Sequence, residues 1–403
     1  MKAAFIDRPG PPEAIRWADI ETPTPAGSQI LVKVAAVAVN PIDTYLRSGA
    51  VAMNLPLPFV VGCDLAGTVE ALGPEATRLK VGDRVWGSNQ GLLGRQGTFA
   101  EFAAVEDRWL YPLPAAVDFK HAAAVRKQLQ KAAHALRTDP KRRGNVVHLD
   151  DATDVLVAGD LHGATGNFLK LLEIADLDFH VGRHVVLQEF VHGKGRDEGG
   201  GCTSHRLLDR LAAAVAKYPD RIHLLPGNHE LAELTDRAIV KDDESLNDLF
   251  AIGILNAWGD DCDDVYEDYL ELFRSMPLAV RTKNRVLMVH TLPPGKALDE
   301  FNPGIFTQFG LPLDEAHRGG HLYNALWGRD VSGETARRFC EIMDVDLLVT
   351  GHVPCPQGFN APNNRQIILD SQKTPAAYLI FPVQEPISHA GLLTRVKLLD
   401  QLD

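Results

Sequence analysis

Five apolar runs in the second half of the chain each stop at a polar residue of the same chemical kind. Residues 154–163 read DVLVAGDLHG, 183–189 RHVVLQE, 221–230 RIHLLPGNHE, 285–290 RVLMVH and 346–352 DLLVTGH. Short apolar runs bounded by turn-forming or charged residues predict buried strands. At their carboxyl ends they deliver Asp160 and His162, Glu189, Asn228 and His229, His290, and His352. Carboxylate, imidazole and amide side chains all suit a borderline divalent metal. Groups gathered just beyond the carboxyl ends of strands are what a layered α/β sheet offers. Between the runs, 167–177 and 206–218 have helical spacing. The acidic stretch 242–273 also reads as helix, with Leu246, Leu249, Phe250 and Ile254 on one face, forming a cap beside the strand ends. The tail 365–383 reads as two closing strands about a turn, at one edge of the core.

The first 119 residues follow another pattern. Short strand-like runs at 29–39, 59–72, 80–86 and 97–105 alternate with Gly and Pro, which predicts a small β-barrel. Residues 120–145 are rich in Ala, Lys, Gln and Leu, with apolar spacing at Val125, Leu129, Ala132 and Leu136. They predict a helix that Asp139-Pro140 ends. The basic cluster Lys141, Arg142 and Arg143 reads as a solvated linker. The division expected is a barrel over 1–119, a helical linker over 120–145 and an α/β domain over 146–403.

Composition narrows the classes. A chain of 403 residues with 45% apolar content has material for two cores. A net charge of −12 argues against a general nucleic-acid binder. Five scattered cysteines without a CxxC pair suggest reduced thiols, hence a cytoplasmic protein. The N-terminal residues lack the apolar core of a signal peptide, and no run approaches membrane-spanning length.

GDLHG, GNHE, VH and GH, in that order over about residues 150–385, resemble the calcineurin-like metallophosphoesterases, most closely the phosphoprotein-phosphatase branch. The resemblance implies an α/β (α+β) sandwich of two sheets flanked by helices. It implies two divalent metal ions, with manganese first and iron or zinc as alternatives. The first ion would be held by Asp160, His162 and a bridging Glu189. The second would be held by that bridge with Asn228, His290 and His352. A bridging hydroxide would attack a phosphomonoester, and His229 would act as general acid. The implied partner is a phosphorylated protein or small molecule, with neither nucleic acid nor membrane; no oligomeric state follows.

The family's GDxxDRG motif is altered here to Gln188-Glu189-Phe190-Val191-His192-Gly193-Lys194. The bridging Asp is Glu189, and the Asp that orients the catalytic His is His192. The phosphate-gripping Arg is Gly193, and the Arg before GNHE is Pro226. His192 is placed to bond His229 or a metal-bound water. Arg329, in an LWGRD stretch similar to the family's LWSDP, is the replacement clamp, with Lys194 and Arg196 as alternatives. Glu230 would support the turn. Asp370 would orient a ligand or cap a strand.

NPIDTYLRSG, GCDLAGTVEALG, VGDRVWG and GTFAEF resemble the GroES-like barrel of the quinone oxidoreductase-type medium-chain dehydrogenases/reductases, over about 110 residues. Pro114 to Val117 resembles the run-up to a Rossmann domain, but no GxGxxG follows. Asn40 stands where a zinc enzyme carries Cys, and Cys63 reads as a small core residue. The barrel is therefore not expected to transfer hydride alone. A non-catalytic metal-binding or interaction module, and a quinone oxidoreductase-like protein, are the alternative readings.

Overall fold

The computed structural model describes residues 1–399 apart from 52, 89, 93, 114–118 and 260–261, so the run-up at 114–117 lies outside the described residues. The chain divides into two compact units: Met1–Lys127 with Leu255–Val265, and Gln128–Ile254 with Tyr266–Asp403.

The first unit is built on antiparallel strands. One sheet runs in the order Phe102–Glu106, Gln29–Ala38, Asp64–Leu72, Arg84–Gly87 and Tyr111–Pro112; a smaller one joins Arg16–Asp19, Lys2–Ile6 and Phe59–Val60. Ile30, Val32, Leu65, Val69, Val85 and Val105 fill the core of the larger sheet. The register between Gln29–Ala38 and Asp64–Leu72 slips twice, and such bulges bend a sheet toward closure. Asn40 opens the helix Pro41–Ser48, and its amide donates to Asp64 Oδ2 at 2.6 Å. Cys63 is buried beside Ile6, Leu46 and Phe59, and burial pushes its thiol up.

The second unit is a two-sheet sandwich. One sheet orders Ile222–Leu225, Arg183–Gln188, Asp154–Asp160, Ala377–Pro382 and Val396–Leu398. The other orders Phe359–Asn360, Gln366–Leu369, Leu347–Thr350, Val286–Val289, Ala279–Thr282, Val146–Leu149 and Arg142–Arg143. Val155, Val157 and Val186 from the first pack against Val280, Met288 and Val349 from the second. Asp154–Asp160, Arg183–Gln188 and Ile222–Leu225 are mutually parallel, and so are Val286–Val289 and Leu347–Thr350. Parallel strands present their carboxyl ends together, so the polar ends of these runs can meet. Thr165–Ala175 and His205–Lys217 are amphipathic helices that bury Phe168, Leu171, Leu207, Leu211 and Val215.

Three local expectations are corrected. The tail strands Gln366–Leu369 and Ala377–Pro382 enter different sheets, each between two neighbours rather than at an edge. The Ser371 hydroxyl holds the crossing, accepting from Gly159 N at 2.8 Å and donating to Ala377 O at 2.7 Å. The basic cluster is not a solvated linker. Arg142 is 7% exposed, and its guanidinium donates to the carbonyls of Leu136, Gly144 and Ser275 and to Asn145 Oδ1, at 2.5–2.9 Å. The acidic cap is two helices, Leu246–Trp258 and Cys262–Arg274, preceded by a two-strand turn at Val240–Lys241 and Glu244–Ser245. Among the described residues, no helix is long and apolar enough to cross a membrane.

Candidate metal centre

The Glu189 carboxylate stands between two sets of imidazoles. Its Oε2 lies 3.2 Å from His162 Nε2, and its Oε1 lies 3.5 Å from His290 Nε2. Oε1 also accepts from the backbone N–H of His229 at 3.2 Å. The longer side chain of Glu at this position thus faces both ways. The two glycines that precede the incoming groups are required by close approach. A Cβ on Gly227 would collide with the Glu189 carboxylate, and one on Gly351 with Asp160 and Gln188.

The outward nitrogens of two histidines are fixed by hydrogen bonds behind them. His162 Nδ1 lies 2.8 Å from Val191 O, so Nδ1 carries a proton and Nε2 is the nitrogen that faces Glu189. His290 Nδ1 lies 3.1 Å from Gln188 Oε1, and the Gln188 amide is itself held by Ala158 O at 3.2 Å. The His290 Nε2 lone pair then faces Asn228 Oδ1 at 3.4 Å, His352 Nδ1 at 3.2 Å and the Glu189 oxygen. His352 Nε2 is buried and has no hydrogen-bond partner among the described residues. The ligand atoms of His162, Glu189 and His229 fall within 4.8 Å of one another, and so do those of Glu189, His290 and His352.

Asp160 is positioned through the backbone. Both its oxygens accept from His352 N, at 3.0 and 2.9 Å, and Oδ1 lies 3.8 Å from His290 Nδ1. Burial, then the adjacent Glu189 carboxylate, push its carboxyl well above the usual range. Glu189 goes the other way: burial opposes ionisation, but His290, His162 and His229 outweigh it and hold the carboxyl well below. Burial also works against charging His162, yet Glu189 raises it to about 10. His229, buried and flanked by other imidazoles, is lowered to about 3; burial likewise lowers His290 and His352. The chain gathers four imidazoles, an amide and two carboxylates, one of them held ionised, in one buried place. That donor set fits divalent cations, which let neighbouring acceptors coexist.

Backbone strain marks the same place. His162, Glu189, His192 and His352 all have positive φ, between 40° and 66°, which costs a side-chain-bearing residue of order 1–3 kcal/mol.

The other candidates divide. His192 lies behind His229, with its Nδ1 2.8 Å from His229 Nδ1. Arg329 is exposed, and its charge adds to the burial and neighbouring imidazoles that lower His290 and His352. No ion pair of Arg329 is found among the described residues, and the neighbouring Asp330 is engaged by Gly295 N and Thr335 Oγ1 at 2.9 and 2.7 Å. Arg196 is turned to Gly193 O at 2.8 Å and to Glu244 at 3.7 Å. Glu230 supports the turn, accepting from the backbone N–H groups of Gly227, Phe190 and Val191. Asp370 accepts from Cys355 N and Gln372 N, bracing a loop. The sequence reading missed Gln188 and Glu233. Glu233 had a usable signal, because it follows His229 by four residues on the helix Asn228–Leu234.

The profile of the calcineurin-like phosphoesterase family matches residues 153–356, just over half of the chain. The chain belongs to the calcineurin-like phosphoesterases. This is a family of hydrolases, and its members generally use a dinuclear metal centre. A protein serine/threonine phosphatase from Saccharomyces cerevisiae shares the fold, with a TM-score of 0.50 at 16% identity over 68% of this chain and 87% of that one. The first unit of this phosphoesterase carries a second match, to the alcohol dehydrogenase GroES-like domain over residues 26–115. A quinone oxidoreductase from Homo sapiens is 34% identical over 194 residues, 48% of this chain and 57% of the relative; one from Pseudomonas aeruginosa is 36% identical over 135 residues, 34% and 40% respectively. The human match is longer than the stretch of about 110 residues whose motifs carry the resemblance. The chain thus spans at most 57% of these curated relatives.

Proposed function

We propose that the second unit hydrolyses phosphomonoesters at a site holding two divalent cations. Asp160, His162 and Glu189 would hold one, and Glu189, Asn228, His290 and His352 the other. The cations would activate a water and neutralise the phosphoryl oxygens. Their donors, imidazole with carboxylate and one amide, suit manganese, iron or zinc. The observation that carries this reading is the convergence of Asn228 Oδ1, His352 Nδ1 and a Glu189 oxygen at 3.4, 3.2 and 3.5 Å from His290 Nε2.

The chain's own groups supply the rest. Gln188 and the Val191 carbonyl fix which nitrogens of His290 and His162 face inward. Arg329 would grip the phosphate, since its planar fork matches two phosphoryl oxygens and its exposed side chain has no ion-pair partner among the described residues. His229 stands beside the cluster and delivers a proton to the departing oxygen. The first unit, a GroES-like barrel without a following GxGxxG, is assigned no hydride-transfer role.

The test is hydrolysis of an aryl phosphate and of phosphopeptides by the full chain, with metal content measured in parallel. Manganese-dependent turnover that Asp160→Asn lowers by ~100-fold or more is expected. Tight metal binding with no turnover on any ester would instead leave a binding module.

A further inference from the structure

The group behind His229 is not a carboxylate but a second histidine backed by one. His192 Nε2 lies 2.6 Å from Glu233 Oε1, and His192 Nδ1 lies 2.8 Å from His229 Nδ1. The side chains of His192 and Glu233 are both 0% exposed. Glu233 has two further donors: Asn247 Nδ2 at 2.8 Å on Oε1, and the Tyr266 hydroxyl on Oε2. Phe250 packs edge-on against the His192 ring, 6.0 Å between centroids. His192 keeps this place with φ at 60°.

We propose that Glu233 and His192 together form the positioning device for His229, with Glu233 setting the tautomer of His192. An ionised carboxylate only accepts, so Glu233 draws the proton of His192 to Nε2. The neutral ring then has its lone pair on Nδ1, facing His229. His229 must donate from its own Nδ1, and its Nε2 is aimed away from His192. A proton that His229 Nε2 takes up from solvent would pass to the leaving oxygen as the P–O bond breaks: the Nε2–H bond breaks, an O–H bond forms, and the electron pair stays on Nε2. Its Nδ1–H remains bonded to His192 throughout. Asn247 and Tyr266, from the helices Leu246–Trp258 and Cys262–Arg274, donate to Glu233 and hold it in register; this gives the acidic cap a part in placing His229.

The geometry also says what would make Glu233 dispensable. In histidine Nδ1 is bonded to Cγ, and in aspartate Oδ1 is bonded to Cγ. His192→Asp therefore puts an acceptor where Nδ1 now stands, without needing a carboxylate behind it.

The inference rests on the phosphoesterase reading, so the test has one arm that needs turnover and one that does not. In the first, kcat is compared on nitrophenyl phosphate and on an alkyl phosphate, whose poor leaving group needs the proton. Glu233→Gln is expected to lower kcat on the alkyl ester by ~10–100-fold and on the nitrophenyl ester by less than about 3-fold. In the His192→Asp background the same change is expected to do nothing further. Equal losses on both esters, or a full additive loss in the double variant, would overturn the proposal. In the second arm, nitrogen-15 NMR of histidine-labelled, zinc-loaded protein reads the tautomers. His192 protonated at Nε2 alone, shifting its proton distribution in Glu233→Gln, supports the proposal; His192 protonated at Nδ1, or at both nitrogens, contradicts it. A protein that turns over no ester but shows the expected tautomers would lose the phosphoesterase reading and keep the His229 positioning.

Discussion

Two buried clusters in the second unit collect acceptors, and they differ in where the positive charge comes from. Around Arg142, three carbonyls and the Asn145 amide oxygen converge on a guanidinium that the chain itself provides. Around His290 Nε2, an amide oxygen, an imidazole nitrogen and a carboxylate oxygen converge. The first cluster completes itself on folding. The second, on the function proposed above, would take its positive charge from ions in solution. Burial of polar groups is common to both; the mismatch between donors and acceptors is what separates a structural anchor from a site.

The comparison can be broken first at the anchor. Arg142→Met strands four buried acceptors and is expected to cost about 3–5 kcal/mol, read from the chemical-denaturation midpoint. By contrast, Glu189→Gln in chelator-treated protein breaks the pair with His162 but relieves the carboxyl of Asp160, and should lower the midpoint by less than Arg142→Met does. If both changes destabilise alike, the clusters are alike and the distinction fails.

A third buried group sharpens the point, because there a proton supplies the match. His184 Nδ1 lies 3.0 Å from His223 Nε2, and burial lowers His184 to about 3. The unfolded chain takes up this proton near pH 6.5, the folded chain only near 3. The unfolded state therefore binds more protons between these values, so stability is full above about 6.5 and falls as pH drops through the window. A tenfold change in proton affinity between the two states is worth about 1.4 kcal/mol. His184→Gln is expected to flatten the acid limb of a plot of thermal midpoint against pH.

Smaller effects follow at the proposed metal site. Added manganese at 100 times its Kd should stabilise the protein by about 2.7 kcal/mol, and Glu189→Gln should abolish that increment. Arg329→Ala should lower kcat/KM for a phosphate ester by roughly 10-fold, about 1.4 kcal/mol, while leaving manganese affinity intact. A loss of metal binding in Arg329→Ala would mean the guanidinium props the ligands rather than the substrate.

Much of this was legible in the sequence, for a definite reason. At Asp154–Asp160, Ile222–Leu225 and Leu347–Thr350, near-complete burial coincides with a polar group at or just beyond the carboxyl end, so one run reveals both strand and site. The tail was not legible. Gln366–Leu369 is buried at every position and Ala377–Pro382 at most, so neither has a period that names its sheet. Arg142 looked like a surface charge because its acceptors are backbone carbonyls, one of them at Ser275, which leave no trace in composition. His192 was visible as a departure from a motif. Its meaning was not, since Glu233 lies 41 residues away in sequence and only the fold joins them.

The central claim is that this cluster of acceptors is completed by a pair of divalent cations. Calorimetric titration of chelator-treated full-length protein with manganese tests it most directly. The expected result is two ions per chain, falling to at most one in His290→Ala, with the fold intact by circular dichroism. A protein that binds no manganese, zinc or iron, or binds it equally well after His290→Ala and Glu189→Gln, would contradict the account.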